Sequence, residues 1–355
     1  MIESVGYELP PYSGGIVGWD IGGVNTKATR LTLQPAAGAL SLCVPYELQR
    51  NLSDLGPTLR SAARQLGWAE DDLHAITMTA ELSQAFRSKR EGVGFILEAL
   101  EATFPPDRLH VYTVAGKFVR PHNARLQPLE VAASNWSATA HWVARLAPTC
   151  VLIDIGTTTT DLIPIVNGEV SAEGRTDLER LGTGELVYTG VVRTPVEAVT
   201  HQVLLRGRST GLASEGFALM GDVFLWRGAL PCEDYTFPTP DGRPATRTFA
   251  GERIARAVCA DREMLDEGDI DEIAETLCHA QQERISGALQ RIRLRYPQID
   301  AAIVTGLGAF LGMDAARAAG LTPRLLSDTA DVPPQTAPAS AVALLLRQNL
   351  ALLDE

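Results

Sequence analysis

Hydrophobic and polar positions along the chain alternate between two periods, and the switches between them mark the elements. From Gly15, the runs GIVGWDIGG, KATRLTLQ and SLCVPYEL are three short β-rich stretches separated by turn residues, the pattern of an antiparallel meander. In LSDLGPTLRSAARQLG, Leu55, Leu59, Ala62, Ala63 and Leu66 recur at helical spacing, with Ser53 or Asp54 placed to cap the first amides. Next, HAITMTAE predicts a strand, REGVGFILEALEATF a helix, LHVYTVA a strand and LEVAASNWSATAHWVARL one long helix.

After Pro148 the pattern begins again. TCVLIDIGTTTTDLIPIVNGEV is a second strand, Gly-Thr turn and strand, so that Asp20-Ile21-Gly22 of the first copy recurs as Asp154-Ile155-Gly156. A duplicated domain is the simplest account of such a repeat. The stretch from about 183 to 244 is broken by Gly and Pro and predicts irregular structure, with LPCEDYTFPTPDGRP as an exposed loop. Helical periodicity resumes at ERIARAVCADREML and in the long run from Asp269 to Tyr296, where Asp269 or Asp271 is placed to cap. The chain closes with the strand AAIVT, a glycine turn, a strand near PRLLS and the helix ASAVALLLRQNLALL.

Length fits two domains, since single cores commonly serve about 100–200 residues. The expected division is 1–147 and 148–355, with an irregular insertion near 205–250 and the Gly-rich turn at 306–312 in the second. The fold class is α/β. A formal net charge of -12 argues against sequence-independent binding to nucleic acid or to an anionic membrane, which needs basic surface. The five cysteines are widely spaced and form no CxxC pair, which fits reduced thiols in a cytosol. No run approaches the roughly 20 apolar residues that span a bilayer, and MIESVGYELPPYSGG has no basic region followed by an apolar one. A cytoplasmic protein is expected. The six scattered histidines give no zinc spacing.

The chemistry concentrates in the two hairpins. Glycine lets backbone approach a phosphate, and a tight turn aims several amides at its oxygens. The candidate phosphate-binding residues are Gly22, Gly23, Asn25, Thr26 and Lys27 in the first hairpin, and Gly156, Thr157, Thr158, Thr159 and Thr160 in the second. Asp20, Asp154 and Asp161 would repel a phosphate alone but suit Mg²⁺, which takes oxygen ligands and keeps several waters. They are the candidate metal ligands. The run GLGAFLG from Gly306 to Gly312 matches neither the dinucleotide fingerprint nor a Walker A motif, yet a Gly-rich strand-to-helix turn takes a ring or phosphate well, so Gly306 and Gly308 are candidate nucleotide or substrate contacts.

Strand, DIGGVNTK, strand; a second half opening with DIGTTTTD; and a late VTGLGAFL together resemble the phosphate 1, phosphate 2 and adenosine motifs of the sugar kinase, heat-shock ATPase and actin superfamily. That resemblance implies two ribonuclease-H-like domains facing across a cleft. Within it, VGWDIGGVNTK, TMTAELSQAF with Lys89 after it, AASNWSATA, LIDIGTTTTDLIPI, LERLGTGELVYTGVVRTPV and VTGLGAFL, spread over about 17–312, resemble the hydantoinase/oxoprolinase-related proteins of tetrahydromethanopterin-linked one-carbon transfer, whose archaeal relatives are methanofuran-biosynthesis synthases.

The resemblance implies an ether-forming condensation in which an aminomethylfuran-methyl diphosphate loses diphosphate as the phenol oxygen of a glutamyl-tyramine attacks its CH₂. Mg²⁺ and the hairpins would stabilise the departing diphosphate. Glu81 and Lys89, just after a predicted strand, are candidate catalytic residues. Asn135 and Trp136 are candidates to line the substrate site with a ring, and Arg180, Thr183, Glu185 and Arg193 to meet the second substrate. Expected partners are therefore a small-molecule diphosphate and a phenol, with no nucleic acid or membrane; a homodimer is compatible with the sequence. The same hairpins would equally serve an ATP-dependent small-molecule kinase or an oxoprolinase-like ATPase, and fold alone does not decide. An actin-like filament is a third reading, disfavoured by the lack of an obvious large apolar patch.

Overall fold

The computed structural model describes residues 14–32, 39–330 and 332–351. Most of the segment read for an export signal, 1–13, lies outside the described residues, as do 352 and 353 of the closing helical run. The chain divides into two compact units, Met1–Arg145 with Gln335–Glu355, and Leu146–Pro334.

In the first unit a six-stranded sheet runs in the order β3-β2-β1-β4-β5-β6, with β1 (Ile16–Ile21), β2 (Asn25–Leu31), β3 (Leu40–Pro45), β4 (Leu73–Met78), β5 (Leu109–Tyr112) and β6 (Phe118–Val119). β1 pairs antiparallel with β2 and parallel with β4. Every residue of β1 is buried because both faces are covered. Val17, Trp19 and Ile21 pack with Leu55 and Leu59 of α1 (Leu55–Gln65) and Ile96 and Leu97 of α2 (Lys89–Glu101). The alternate Ile16 packs instead with Val342 and Leu345 of the closing helix Ala337–Ala351. Each such side chain stabilises the fold by about 1.5–3 kcal/mol. A Cβ on Gly18 would collide with the Ala339 carbonyl, so this glycine lets the closing helix lie on the sheet. That helix was expected in the second domain and belongs to the first unit; its periodicity shows an apolar face but not which sheet covers it.

The expected long helix over 129–146 is interrupted. Short helices α3 (Pro121–Leu126) and α4 (Pro128–Val131) precede α5 (Asn135–Leu146). Between α4 and α5, Ala132 makes a parallel bridge to Met78, and Ala133 takes φ 50°, a left-handed conformation that ends one helix and re-aims the next.

The second unit repeats the plan, with β7 (Cys150–Ile155), β8 (Thr160–Val166), β9 (Glu169–Val170) and β10 (Leu186–Val187), a small hairpin of β11 (Gln202–Leu205) and β12 (Arg208–Gly211), then β13 (Ala301–Thr305) and β14 (Thr322–Leu325). The main sheet runs β10-β8-β7-β13-β14, with β9 on β8; β7 is antiparallel to β8 and parallel to β13. Its helices are α6 (Asp177–Thr183), α7 (Met220–Trp226), α8 (Arg247–Ala257), α9 (Glu267–Arg295) and α10 (Ala309–Ala318). α9 begins just before the predicted caps, because Asp266 is the N-cap and Asp269 closes a capping box with it. The stretch expected to be irregular holds the β11–β12 hairpin and α7, and α7 is locked to α8, which follows that stretch, by fully buried Arg253, which donates from Nε to Asp222 (2.8 Å) and from Nη1 to Asp241 (3.0 Å). Burial pushes the Asp222 carboxyl up, opposed by the Arg253 guanidinium.

Candidate functional site

In the first unit β1 and β2 meet in a turn closed by the Gly22 N–H donating to the Asn25 carbonyl (3.0 Å). A Cβ at Gly22 would stand 2.6 Å from that oxygen, whereas one at Gly23 would meet nothing within 4 Å among the described residues. Asp20 lies opposite Lys27 in the strand register and is only 3% exposed. Lys27 Nζ stands 3.2 Å from its Oδ2, while its buried Oδ1 has no hydrogen-bond partner among the described residues. Asn25 is buried, and Thr26 has no exposed surface, its buried hydroxyl making no hydrogen bond among the described residues. Thr26, expected to donate to a phosphate, therefore faces the interior.

Glu81 follows β4 on a single helical turn, Ala80–Leu82, and is 1% exposed. Gly92 of α2 packs on the Glu81 backbone so closely that a side chain there would collide, which brings the start of α2, and Lys89 with it, against the acid. Lys89 Nζ is 3.7 Å from Glu81 Oε1. The two expected catalytic residues thus form one largely buried pair. Asn135 and Trp136 open α5 beside the end of β4. Trp136 is 3% exposed, so its ring is a packing element and offers no face for stacking a substrate.

In the second unit the corresponding turn is closed by Gly156 N–H donating to the Thr159 carbonyl (2.9 Å). Among the described residues a Cβ at Gly156 would meet only the Thr159 oxygen, at 3.7 Å. Two other segments grip this turn. Gly306, at φ 87°, lies against Asp154 and the Ile155 carbonyl, and the Gly308 N–H donates to that carbonyl (2.9 Å). The loop 189–194 approaches as well, with Val191 N–H donating to Gly156 O (3.1 Å), and Val192 and Arg193 N–H to Thr157 O (3.1 and 2.9 Å). A Cβ at Gly308 would stand 2.5 Å from both Ile155 Cγ2 and Val191 Cγ1, so glycine is what allows the three segments to interlock. Gly306 and Gly308, expected to border a nucleotide, pack on the hairpin itself.

Asp161, expected beside the metal, sits opposite Asp154 in the register and is engaged by the guanidinium of Arg180, itself 1% exposed. Thr160 is also withdrawn from any ligand, because its hydroxyl donates to the Thr189 carbonyl (2.7 Å). Thr183 and Glu185 serve the fold: buried Glu185 accepts from the Glu173 and Gly174 amides (2.8 and 2.9 Å) and the Thr183 hydroxyl (2.9 Å). Of the four residues expected at a second substrate, Arg193 reaches the hairpin, donating from Nη1 to the Thr158 hydroxyl (3.3 Å).

Several residues that shape this site carry no motif. Gln281 of α9 is fully buried and donates to the Thr189 hydroxyl (2.7 Å) and the Gly190 carbonyl (2.9 Å), and Thr194 accepts from Gly190 N–H (2.8 Å). One signal was present: Gln281 interrupts the apolar stripe Leu277–Gln281–Ile285, where a polar side chain needs a partner. Among the described residues, no group of three or more His, Cys, Asp or Glu side chains is arranged to hold a metal. The residues present still fit Mg²⁺ arriving with a phosphorylated ligand, which needs one or two carboxylates and otherwise takes phosphate and water oxygens. The unpartnered Oδ1 of Asp20 is such an oxygen, and Asp154 is its counterpart in the repeat.

The hydantoinase/oxoprolinase family model matches residues 72–349. A protein of Methanocaldococcus jannaschii named (4-{4-[2-(gamma-L-glutamylamino)ethyl]phenoxymethyl}furan-2-yl)methanamine synthase is 35% identical over 336 residues, covering 94% of this chain and 98% of that one. A Methanococcus vannielii protein of the same name is 34% identical over 166 residues, 47% of this chain and 74% of that one. Among solved structures, nucleotide-free acetone carboxylase aligns with a TM-score of 0.57 at 11% identity, covering 94% of this chain and 70% of that one, a likeness of fold alone. With a family match over most of its length and a full-length relative at 35% identity, the chain belongs to the hydantoinase/oxoprolinase family.

Proposed function

We propose that this protein is a transferase of methanofuran biosynthesis that condenses an aminomethylfuran-methyl diphosphate with glutamyl-tyramine. The observation that carries the reading is the relative at 35% identity over nearly its whole length, whose name specifies a phenoxymethyl-furan product. Such an ether arises when the phenol oxygen bonds to the furan CH₂, the bond from CH₂ to the diphosphate oxygen breaks with its electron pair going to diphosphate, and the phenol proton passes to a base. The electron-rich furan supports positive charge at the CH₂, so the leaving group governs the barrier.

The second hairpin suits that leaving group. Because the carbonyls of Gly156 and Thr157 point at the loop 191–193, and a trans peptide sets N–H opposite to C=O, the amides of Thr157 and Thr158 face away from the loop. Paired amides of this kind form an anion nest. Asp154 beside this hairpin is a carboxylate proposed to hold Mg²⁺, as Asp20 is at the corresponding hairpin of the first unit, and the ion would supply charge neutralisation for phosphate oxygens when bound. Glu81 is proposed as the acceptor of the phenol proton, with Lys89 Nζ 3.7 Å from its Oε1.

The test is a direct assay of the purified protein with Mg²⁺, the furan diphosphate and glutamyl-tyramine, following ether and diphosphate, beside a reaction given ATP alone. Ether and diphosphate in equal amounts without ATP are expected. ATP consumption with no ether would move the protein to the kinase or oxoprolinase-like class.

A further inference from the structure

The loop 189–194 has an elaborate anchor. Thr189, Gly190 and Thr194 are buried, and a glutamine from the middle of α9 is bonded to two of them. A Cβ at Gly190 would stand 2.5 Å from the Thr158 nitrogen, so the loop backbone lies directly on the second phosphate turn. Three loop amides cap the turn carbonyls. The last of them belongs to Arg193, whose position is therefore fixed at its backbone before its side chain makes any contact.

The side chain is fixed as well. Its guanidinium carbon lies 4.5 Å from the centre of the Phe237 ring, and Nη1 donates to the Thr158 hydroxyl. A planar cation resting on a ring loses little freedom when it binds an anion, because the rotamer is already chosen. The fold thus brings a held guanidinium to a hydroxyl of the turn proposed to take the diphosphate. Arg180, the other arginine near this hairpin, is paired with Asp161 at its far end.

We propose that Arg193 binds the departing diphosphate, its guanidinium taking the non-bridging oxygens beside Thr158 as negative charge collects there. The proposal deepens the transferase reading and rests on it for the identity of the ligand. It moves Arg193 from the acceptor phenol, where the sequence pattern had suggested it, to the leaving group. Arginine suits the role because its fork matches two phosphate oxygens at once, where lysine offers a point charge. Phe237 becomes a positioning residue acting through Arg193.

Calorimetric titration with inorganic diphosphate and Mg²⁺ tests this without requiring turnover. Arg193→Gln should weaken diphosphate binding by about 10- to 100-fold, the scale of a charge-assisted bidentate contact, with the KM for the furan diphosphate rising and that for glutamyl-tyramine unchanged. Arg193→Lys should recover part of the affinity, which a purely structural arginine would not show. Phe237→Leu, which leaves Arg193 in place, should weaken binding by about threefold and serves if the glutamine variant does not fold. Equal affinity in wild type, Arg193→Gln and Phe237→Leu, or no binding of diphosphate by the wild type, would overturn the proposal. Ether formation by the wild type is read separately, so the reaction can stand when this assignment falls, and a diphosphate site dependent on Arg193 can stand when no ether forms.

Discussion

The hairpins Asp20–Lys27 and Asp154–Asp161 are the same device built twice, and they differ where it matters. Each pairs Asp-Ile with the two residues that follow the turn, and each closes on a hydrogen bond from its first glycine to the residue three positions on. The carbonyls of Ile21 and Ile155 are capped alike, by the Thr79 and Gly308 amides that follow the neighbouring parallel strands. At the register position opposite the aspartate, however, the first hairpin carries Lys27 and the second carries Asp161 with a buried arginine on it. After the neighbouring strand the first has an acid, Glu81, and the second a glycine turn. Duplication preserved the backbone cradle while the charge around it was redistributed. The first copy offers a carboxylate against a lysine, and the second the Thr157 and Thr158 hydroxyls with a guanidinium beside them.

The largest effect expected from disturbing this contrast is on stability, in the second copy. Asp161→Asn removes a carboxylate from the guanidinium of Arg180, which is 1% exposed and also stands 3.7 Å from Asp177 in its own helix. Breaking a buried ion pair by removing one partner costs about 3–5 kcal/mol. The denaturant midpoint should fall accordingly. Lys27→Met at the equivalent position removes a partly exposed lysine from the buried Asp20 carboxylate and should cost less, about 1–3 kcal/mol. Equal losses for the two variants would show that the register positions are not as different as their surroundings indicate.

Next in size are the aspartates that the two copies share. Asp154→Asn and Asp20→Asn each should lower ether formation by about 100-fold or more with the fold intact, since the charge that would hold Mg²⁺ is gone while the shape remains. Circular dichroism and the rate at several Mg²⁺ concentrations check both points. Full activity at ordinary Mg²⁺ for either variant would remove that carboxylate from the metal proposal. A smaller loss in one variant would say which copy carries the ion.

Residues whose structure depends on their neighbours in sequence were legible: the glycines that close each turn, the alternation that makes β1 and β7, the repeat of Asp-Ile-Gly. What escaped was set by partners far along the chain. Nothing local to Thr160 tells that its hydroxyl meets the Thr189 carbonyl, nor does the run around Asp161 reveal Arg180. The break at Ala133 was hidden because the apolar spacing on either side of it is helical in both halves, and the bridge from Ala132 to Met78 that forces the break joins segments about fifty residues apart. The site is therefore half written locally, as turns able to hold phosphate, and half written by the tertiary fold, which decides which side chains are left to face it.

The finest distinction between the units is their response to acid. His74 and His110 are fully buried in the first unit, whereas His201 and His279 of the second are exposed. Burial holds both His74 and His110 near a pKa of about 3, with the Arg120 charge adding to the effect at His110. At His74 the indole N–H groups of Trp19 and Trp68 point at Nδ1 and Nε2 (3.0 and 3.1 Å), so a protonated ring would face donors with donors on both sides. An unfolded histidine takes its proton near pH 6.5, so the unfolded state binds more protons than the folded one as pH falls below that value. Stability is then fully present above pH 6.5 and is lost progressively towards pH 3, by about 1.4 kcal/mol per pH unit for each histidine. Unfolding measured between pH 7 and 5, a window in which ordinary carboxylates stay ionised, should show that slope, and His74→Phe should remove about half of it. An unchanged slope in that variant would mean that the acid response arises outside the Trp19–His74–Trp68 cluster.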